Sequence, residues 1–313
     1  MRRIIQFSTG NVGVHALRSI IERPDLELVG VHANTPDKVG QDAAGLCGLP
    51  TPIGITATDD IDALVAPDQA DVWLREPLAA ACAEGDSTLY INGIDPGFSG
   101  DTLVYTTLSL AARATAVTVQ EIFDYGSYDD AEFTGVSFGF GALPEHTPTL
   151  FTPGILTSMW GAQVRSLAAD LGVEPDEVRE RHRNWVTPEP IDCTMMRVEP
   201  GHVAAVMFGV DGLRDGRAVI TMEHVNRLTD AAAPDWPYPP DGYPGVHRVV
   251  VDGSPGIEIN THVGTSGIDH NQGGVIATAA RAVNVIEAVC RASIGLLSAH
   301  DLRATDHVNG VMW

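Results

Sequence analysis

Two aspartates, Asp95 and Asp124, each stand where an apolar run gives way to a polar turn, and a carboxylate so placed can orient or protonate a substrate amine or imine. The same placement suits a turn aspartate bonding local N–H groups, the commoner role for either residue alone. A second constellation binds rather than reacts. Thr9, Gly10, Asn11, Val12 and Gly13 follow the apolar run 4–7, and Gly10, Gly13 and Ala16 give the spacing Gly-x-x-Gly-x-x-Ala. Gly10 is expected to let the chain turn tightly, Gly13 to let a pyrophosphate approach the backbone, and Ala16 to let helix and strand pack closely. The helix N-terminus then presents N–H groups to the anion. A second apolar run at 26–31 completes the strand–helix–strand context that separates a dinucleotide turn from an ordinary one.

That second strand ends without an acid at its tip, where a ribose 2′-hydroxyl is usually held. It exits into His32-Ala33-Asn34-Thr35-Pro36-Asp37-Lys38, and Asn34, Thr35 and Lys38 are suited to a 2′-phosphate, which favours NADP; Asp37 keeps NAD open. Other chemistries lack their residues. Lys38 is the sole lysine, so Schiff-base catalysis elsewhere is excluded. Eleven histidines make no compact ligand set, and no metal site is expected. Ser99, in Pro-Gly-Phe-Ser-Gly, lacks the spacing of a nucleophile elbow.

The elements that must position these residues follow from pattern. Helices are expected over 61–65, 75–85, 98–112, 153–171, 174–179 and 275–291. Strands are expected over 52–56, 70–74, 89–92 and 115–123, then antiparallel strands over 191–198, 203–210 and 218–225. Residues 246–251 and 256–263 read as a hairpin around Asp252-Gly253. Residues 230–245 form a loop or a dimer arm. Met159, Trp160, Met195 and Met196 are candidates for the wall of an apolar substrate pocket, or for core. Between Leu74 and Pro77 the chain passes from strand to helix with almost no loop, where a doubly wound domain normally holds another βα unit of ~30 residues; either the protein has lost that unit or the sequence omits it.

With 313 residues the chain is long enough for two domains, and a net charge of −22 argues against nucleic-acid partners. Four separated cysteines, Cys47, Cys82, Cys193 and Cys290, indicate reduced thiols and a cytoplasmic protein. No stretch reaches about 18 consecutive apolar residues, so no membrane span is expected.

Three runs carry a resemblance: Phe-Ser-Thr-Gly-Asn-Val-Gly at 7–13, Asn-Thr-Pro-Asp-Lys-Val-Gly-Gln-Asp-Ala at 34–43, and Asn-Gly-Ile-Asp-Pro-Gly-Phe at 92–98. They resemble actinobacterial proteins with a dihydrodipicolinate-reductase-like N-terminal domain, a group similar to 2,4-diaminopentanoate dehydrogenase and the native amine dehydrogenases. The run 282–290 resembles their C-terminal helix. The resemblance implies an α/β protein: a Rossmann-type parallel-sheet domain over 1–97, completed by 275–313, and an α+β substrate-binding and dimerisation domain with an open mixed or antiparallel sheet over 98–274. It implies a homodimer using NADP or NAD, and reversible deamination of an amine, or reductive amination of a small ketone with ammonia. By position it implies pyrophosphate binding by 10–13 and adenosine phosphate binding by Asn34, Thr35 and Lys38. It also places Asn92, Gly93, Ile94 and Asp95 near the nicotinamide, and Asn284 at the carboxamide. The catalytic glutamate of amine dehydrogenases lies after the fourth strand, where this chain is short, so the resemblance supplies no catalytic acid. A chain without His-His and with one lysine departs from true dihydrodipicolinate reductases. The alternatives are a reductase of a C=O or C=C bond and a non-catalytic NADP-binding sensor.

Overall fold

Residues 2–7 and 26–32 pair as parallel strands, β1 (Arg2–Phe7) and β2 (Leu26–His32), from Arg2 opposite Leu26 to Phe7 opposite His32. Helix α1 (Asn11–Glu22) joins them and buries Gly13, Ala16, Leu17 and Ile20, one face at helical spacing. The chain continues through α2 (Ala43–Leu46), β3 (Ala57–Thr58), α3 (Arg75–Glu84) and β4 (Thr88–Tyr90). The computed structural model describes residues 2–60 and 75–302; the helix expected over 61–65 and the strand expected over 70–74 lie outside them. The strand expected over 52–56 is displaced to the two residues of β3, which pair parallel with β2 at Val31 and His32.

The chain separates into two units, Met1–Ile94 with Val275–Trp313, and Asp95–Gly274. The second contains, in order, α4 (Thr102–Leu108), β5 (Arg113–Asp124), α5 (Ala131–Phe138), α6 (Ile155–Asp170), β6 (Glu177–Val186), β7 (Ile191–Asp192), β8 (Arg197–Val198), β9 (Val203–Arg214), β10 (Arg217–Arg227), β11 (Gly245–Ser254) and β12 (Ile257–Thr261). Helix α7 (His270–Asn284) enters the first unit at Val275, followed there by α8 (Ile286–Arg291) and β13 (Gly295–Leu297).

In the first unit the parallel order is β1-β2-β3, with β13 and β4 as a separate parallel pair. Leu17, Ile20, Leu26 and Val31 form its core with Ala279 and Val283 of α7. Among the described residues β1 bonds to β2 alone, and residues 3–8 line a groove of about 480 Å³ with Ala279, Ala282 and Val283. Among the described residues one helical run, His270–Arg291, is long and apolar enough to cross a membrane by length and composition. It is interrupted at Val285, and its Ala279 and Val283 are built into the core of this unit.

In the second unit a six-stranded sheet has the order β12-β11-β5-β10-β9-β6. It is mixed, because β10 runs parallel to β5 while the other pairs are antiparallel. Helix α6 covers one face. Its Leu156, Trp160, Val164 and Leu167 pack with Phe208, Ile220 and Met222, each burial worth about 1.5–3 kcal/mol. The segment after β10 covers part of the other face through Ala232, Ala233 and Trp236. Arg227 ties it down by donating to the carbonyls of Ala232, Ala233 and Pro237, so residues 230–238 fold back on their own sheet rather than reaching out as an arm.

Several elements differ from the pattern. Residues 174–179, read as helix, give way to strand β6, because pairing along β9 from Glu177 opposite Leu213 overrides local helical preference. The helix expected over 98–112 contracts to α4, since Asp101 caps it and Gly100, where a Cβ would lie 2.8 Å from the Gln163 amide, stays outside. Helix α6 starts at Ile155, not Pro153, because Gly154 is left-handed at φ 93°. The strand expected over 191–198 is reduced to the two-residue arms β7 and β8. The expected hairpin turn at Asp252-Gly253 lies within β11: a Cβ on Gly253 would sit 2.0 Å from the Arg113 carbonyl oxygen, so this glycine makes the bulge beside β5 and the turn moves to Pro255-Gly256.

Candidate active site

At the first unit's phosphate turn, α1 starts directly after β1 with no side chain capping its N-terminus and no acid in its first turn, an end suited to an anion. The tight turn falls on Ser8, left-handed at φ 72°, whereas Gly10 has an ordinary φ of −75°. Gly13 has a packing role as well: a Cβ there would lie 2.4 Å from the Ser8 carbonyl oxygen. Gly13→Ala is therefore expected to lower stability by about 1–3 kcal/mol, read as a drop in the urea midpoint at unchanged slope. Thr9 is buried, Asn11 and Val12 are exposed at the helix start, and Lys38 Nζ donates to the Thr9 carbonyl at 2.6 Å. The end of β2 thus reaches the glycine turn, with Asn34 and Thr35 exposed beside it. Asn92 donates to the Arg281 carbonyl at 2.8 Å and accepts from the Gly93 N–H, which fixes the exit of β4 against α7; Ile94 follows, and Asn284 closes α7.

The second unit gathers ionisable side chains that are far apart in sequence. Sheet register sets His182, Phe208, His224, Glu121 and His247 in one row across β6, β9, β10, β5 and β11. Asp95, extended at φ −153° and ψ 119°, brings its carboxylate to His224, with Oδ1 3.4 Å from Nε2. Oδ1 also accepts from Trp160 Nε1 at 2.8 Å, and Oδ2 from Ser99 Oγ at 3.0 Å. The His224 ring stacks on Phe208 with centroids 4.6 Å apart.

Burial opposes the Asp95 charge, but the charge and hydrogen bond of His224, with the Trp160 donor, outweigh it and hold the carboxyl at about 2. Burial likewise opposes a charge on His224, and Asp95 overcomes it, so this imidazole is raised above its ordinary range. Glu121 stands differently. Burial and the neighbouring Asp95 push its carboxyl up to about 7, with His224 and the Tyr125 hydroxyl acting against them. Burial lowers His247 to about 4, leaving it neutral. Ligand atoms of Asp95, Glu121 and His224 lie within 4.8 Å of one another, and the close approach of Asp95 to His224 makes the set an ion pair beside a carboxyl of variable charge.

The sequence candidates separate here. Asp95 and Trp160 meet directly. Asp124 lies on the opposite face of β5 from Glu121. Its Oδ1 accepts from Gly126 N at 2.6 Å, and its carbonyl accepts from Asn271 Nδ2 at 2.9 Å, so it fastens the turn after β5; burial raises its carboxyl above the usual range. Met159 is 43% exposed, and Met195 packs on α5 with its sulfur accepting from Thr134. Glu121, His224 and His247 were not among the sequence candidates. The signal lies in strand phase: Val117, Val119, Glu121 and Phe123 share one face of β5, which sets a glutamate at an apolar position.

Residues 99–312 match the 2,4-diaminopentanoate dehydrogenase C-terminal domain. An amine dehydrogenase from Streptomyces virginiae is 34% identical, with 95% of each chain aligned. The structure of an amine dehydrogenase from Mycobacterium smegmatis has the same fold, with a TM-score of 0.71 at 16% identity over 98% of each chain. The chain belongs to the 2,4-diaminopentanoate dehydrogenase family of NAD(P)-binding oxidoreductases and is an amine dehydrogenase homologue. The alignment with the Streptomyces relative spans 342 positions, more than the 313 residues of this chain, so at least 29 positions of that relative have no counterpart here.

Proposed function

We propose that this protein is an NAD(P)-dependent amine dehydrogenase that interconverts a small amine with its ketone and ammonia. Homology over 95% of the chain carries this reading. The uncapped start of α1 suits the cofactor pyrophosphate, with Thr9, Gly10, Asn11, Val12 and Gly13 around it. Asn34, Thr35 and Lys38 suit the 2′-phosphate of NADP, while Asn92, Gly93, Ile94, Asp95 and Asn284 belong to the nicotinamide end. When bound, the nicotinamide supplies a hydride acceptor or donor for the amine-bearing carbon. The substrate domain is 98–274, with Trp160, Met159 and Met195 contributing apolar surface suited to an amine without a carboxylate. A cytoplasmic homodimer completes the reading. The relative's extra positions are assigned to the short junction after Leu74, where a βα unit is either lost from this protein or omitted from the sequence.

The test mixes the protein with NADP+ or NAD+ and a panel of small amines at alkaline pH and follows reduced-nicotinamide absorbance. Amine-dependent reduction is the expected result. Silence combined with tight cofactor binding overturns the reading in favour of carbonyl chemistry or a sensor. Lys38→Ala is expected to weaken NADP+ about tenfold and NAD+ less than about threefold, the scale of one charge-assisted hydrogen bond. Equal losses in binding titrations of both cofactors would remove Lys38 from the 2′-phosphate site.

A further inference from the structure

Glu121 stands between two histidines. Strand register sets His224 of β10 opposite it on one side and His247 of β11 on the other, at one level of the sheet. Asp95 joins them from the segment before α4, with Oδ1 3.4 Å from His224 Nε2. Ligand atoms of Asp95, Glu121 and His224 all lie within 4.8 Å of one another, and His247 Nδ1 is 3.8 Å from Glu121 Oε2. All four residues belong to the second unit. The set is unfinished. His247 is buried with neither ring nitrogen bonded among the described residues, and His224 Nδ1 is buried and unbonded as well. Glu121 accepts a long bond from Tyr125 Oη at 3.4 Å. Buried polar groups are normally satisfied, and buried charges are paired or coordinate metals. An imidazolium at His224 balances one of the two carboxylates. A divalent cation held between neutral imidazoles balances both.

We propose that Asp95, Glu121, His224 and His247 form a binding site for a divalent transition cation of the zinc class, which fastens β5, β10 and β11 to the segment that carries Asp95. The site is independent of the amine reaction. Its donor set selects the ion. Imidazoles with carboxylates suit zinc, whereas magnesium and calcium take oxygen ligands. Bonds of about 2.1 Å to a tetrahedral ion place ligand atoms about 3.4 Å apart. The Asp95–His224 spacing already matches this, and the Glu121–His247 spacing of 3.8 Å lies close to it. The ion sits at the point its ligand atoms enclose and replaces the proton of the His224 imidazolium, so the ion pair is the metal-free form of the site.

The surroundings hold the ligands in place. Trp160 Nε1 and Ser99 Oγ donate to the Asp95 carboxylate, and the His224 ring stacks on Phe208, the kind of outer contact that orients metal ligands. A carboxylate oxygen has more than one lone pair, so Asp95 Oδ1 keeps its Trp160 bond while it meets a cation. Three of the four ligands stand on paired strands, which fixes their spacing. An ion has access, because 14% of the Glu121 side chain is reachable by water. A water molecule bridging Glu121 and His247 would satisfy their hydrogen bonds and leave the carboxylate charges as they are.

Titration of the full chain with Zn2+, after dialysis against a chelator, tests this. One equivalent is expected to bind with a Kd on the order of 1 μM or tighter. Glu121→Gln and His247→Ala are each expected to weaken that site about 100-fold or more, since removing even an outer partner of a metal ligand costs about 10- to 100-fold. His146→Ala, exposed on the loop before α6, should leave it unchanged. Co2+ in place of Zn2+ should give the ligand-field absorption of a four-coordinate site without thiolate charge-transfer bands. A wild type with no site tighter than about 100 μM, or a tight site that persists in both variants, overturns the proposal. Should either variant fail to fold, X-ray absorption of the Zn2+-loaded wild type decides. Imidazole scattering from a pair of histidines in a four-coordinate shell is expected, and a six-coordinate shell of oxygens overturns the proposal.

Discussion

Asp95→Ala is expected to lower stability at pH 6 by about 3–5 kcal/mol, the scale found when one member of a buried ion pair is removed. The variant leaves His224, 5% exposed, with its charge opposed by burial and its counter-ion gone. It also strips the acceptor from Trp160 Nε1 and Ser99 Oγ. Asp95→Asn should cost less, because an amide oxygen still accepts from Trp160. The pH dependence has a definite sign. The folded carboxyl is held at about 2 against an ordinary 3.8, so its contribution is present above about 4 and is lost as pH falls through 2. His224 is raised above its ordinary 6.5, so its contribution is complete below 6.5 and is lost as pH rises through its folded value. The pair contributes most between about 4 and 6.5, and the penalty of Asp95→Ala should shrink from pH 6 to pH 9 in urea titrations. A variant within about 1 kcal/mol of wild type at pH 6 would show that no charge pair exists.

Sequence pattern made Asp95 visible because it follows an apolar run, and Trp160 because it lies in a long apolar helix. The strand–turn–helix at the N-terminus was equally local: its strands alternate with a helix face closed by Ala16, Leu17 and Ile20. What local pattern misassigned was the division of labour within that turn, since φ at Ser8 and the clearance at Gly13 depend on the approach of α1 to β1. The row of ionisable side chains across the sheet was hidden for a related reason. Glu121, His224 and His247 become neighbours only through the register of β5 with β10 and β11, and the parallel β5–β10 pairing has no short-range signature. Strand β6 was hidden because Glu-Pro-Asp-Glu reads as the start of a helix until β9 offers a complete ladder.

Glu121→Gln is expected to move stability in the opposite direction from Asp95→Ala. The Glu121 carboxyl titrates at about 7 in the folded protein against an ordinary 4.5, so between these values the folded state keeps a proton that the unfolded state releases. Stability therefore falls as pH rises from about 4.5 to about 7, and the loss persists above 7. Its full size is about 3 kcal/mol, from a shift of this extent at 1.36 kcal/mol per unit. A neutral glutamine of nearly the same shape removes that cost. The variant should match wild type within about 0.5 kcal/mol at pH 4.5 and exceed it by about 3 kcal/mol at pH 8, read from urea midpoints at equal slopes. If the variant were instead less stable than wild type at pH 8, the ionised Glu121 would be a favourable partner in the folded cluster, and its place would be structural.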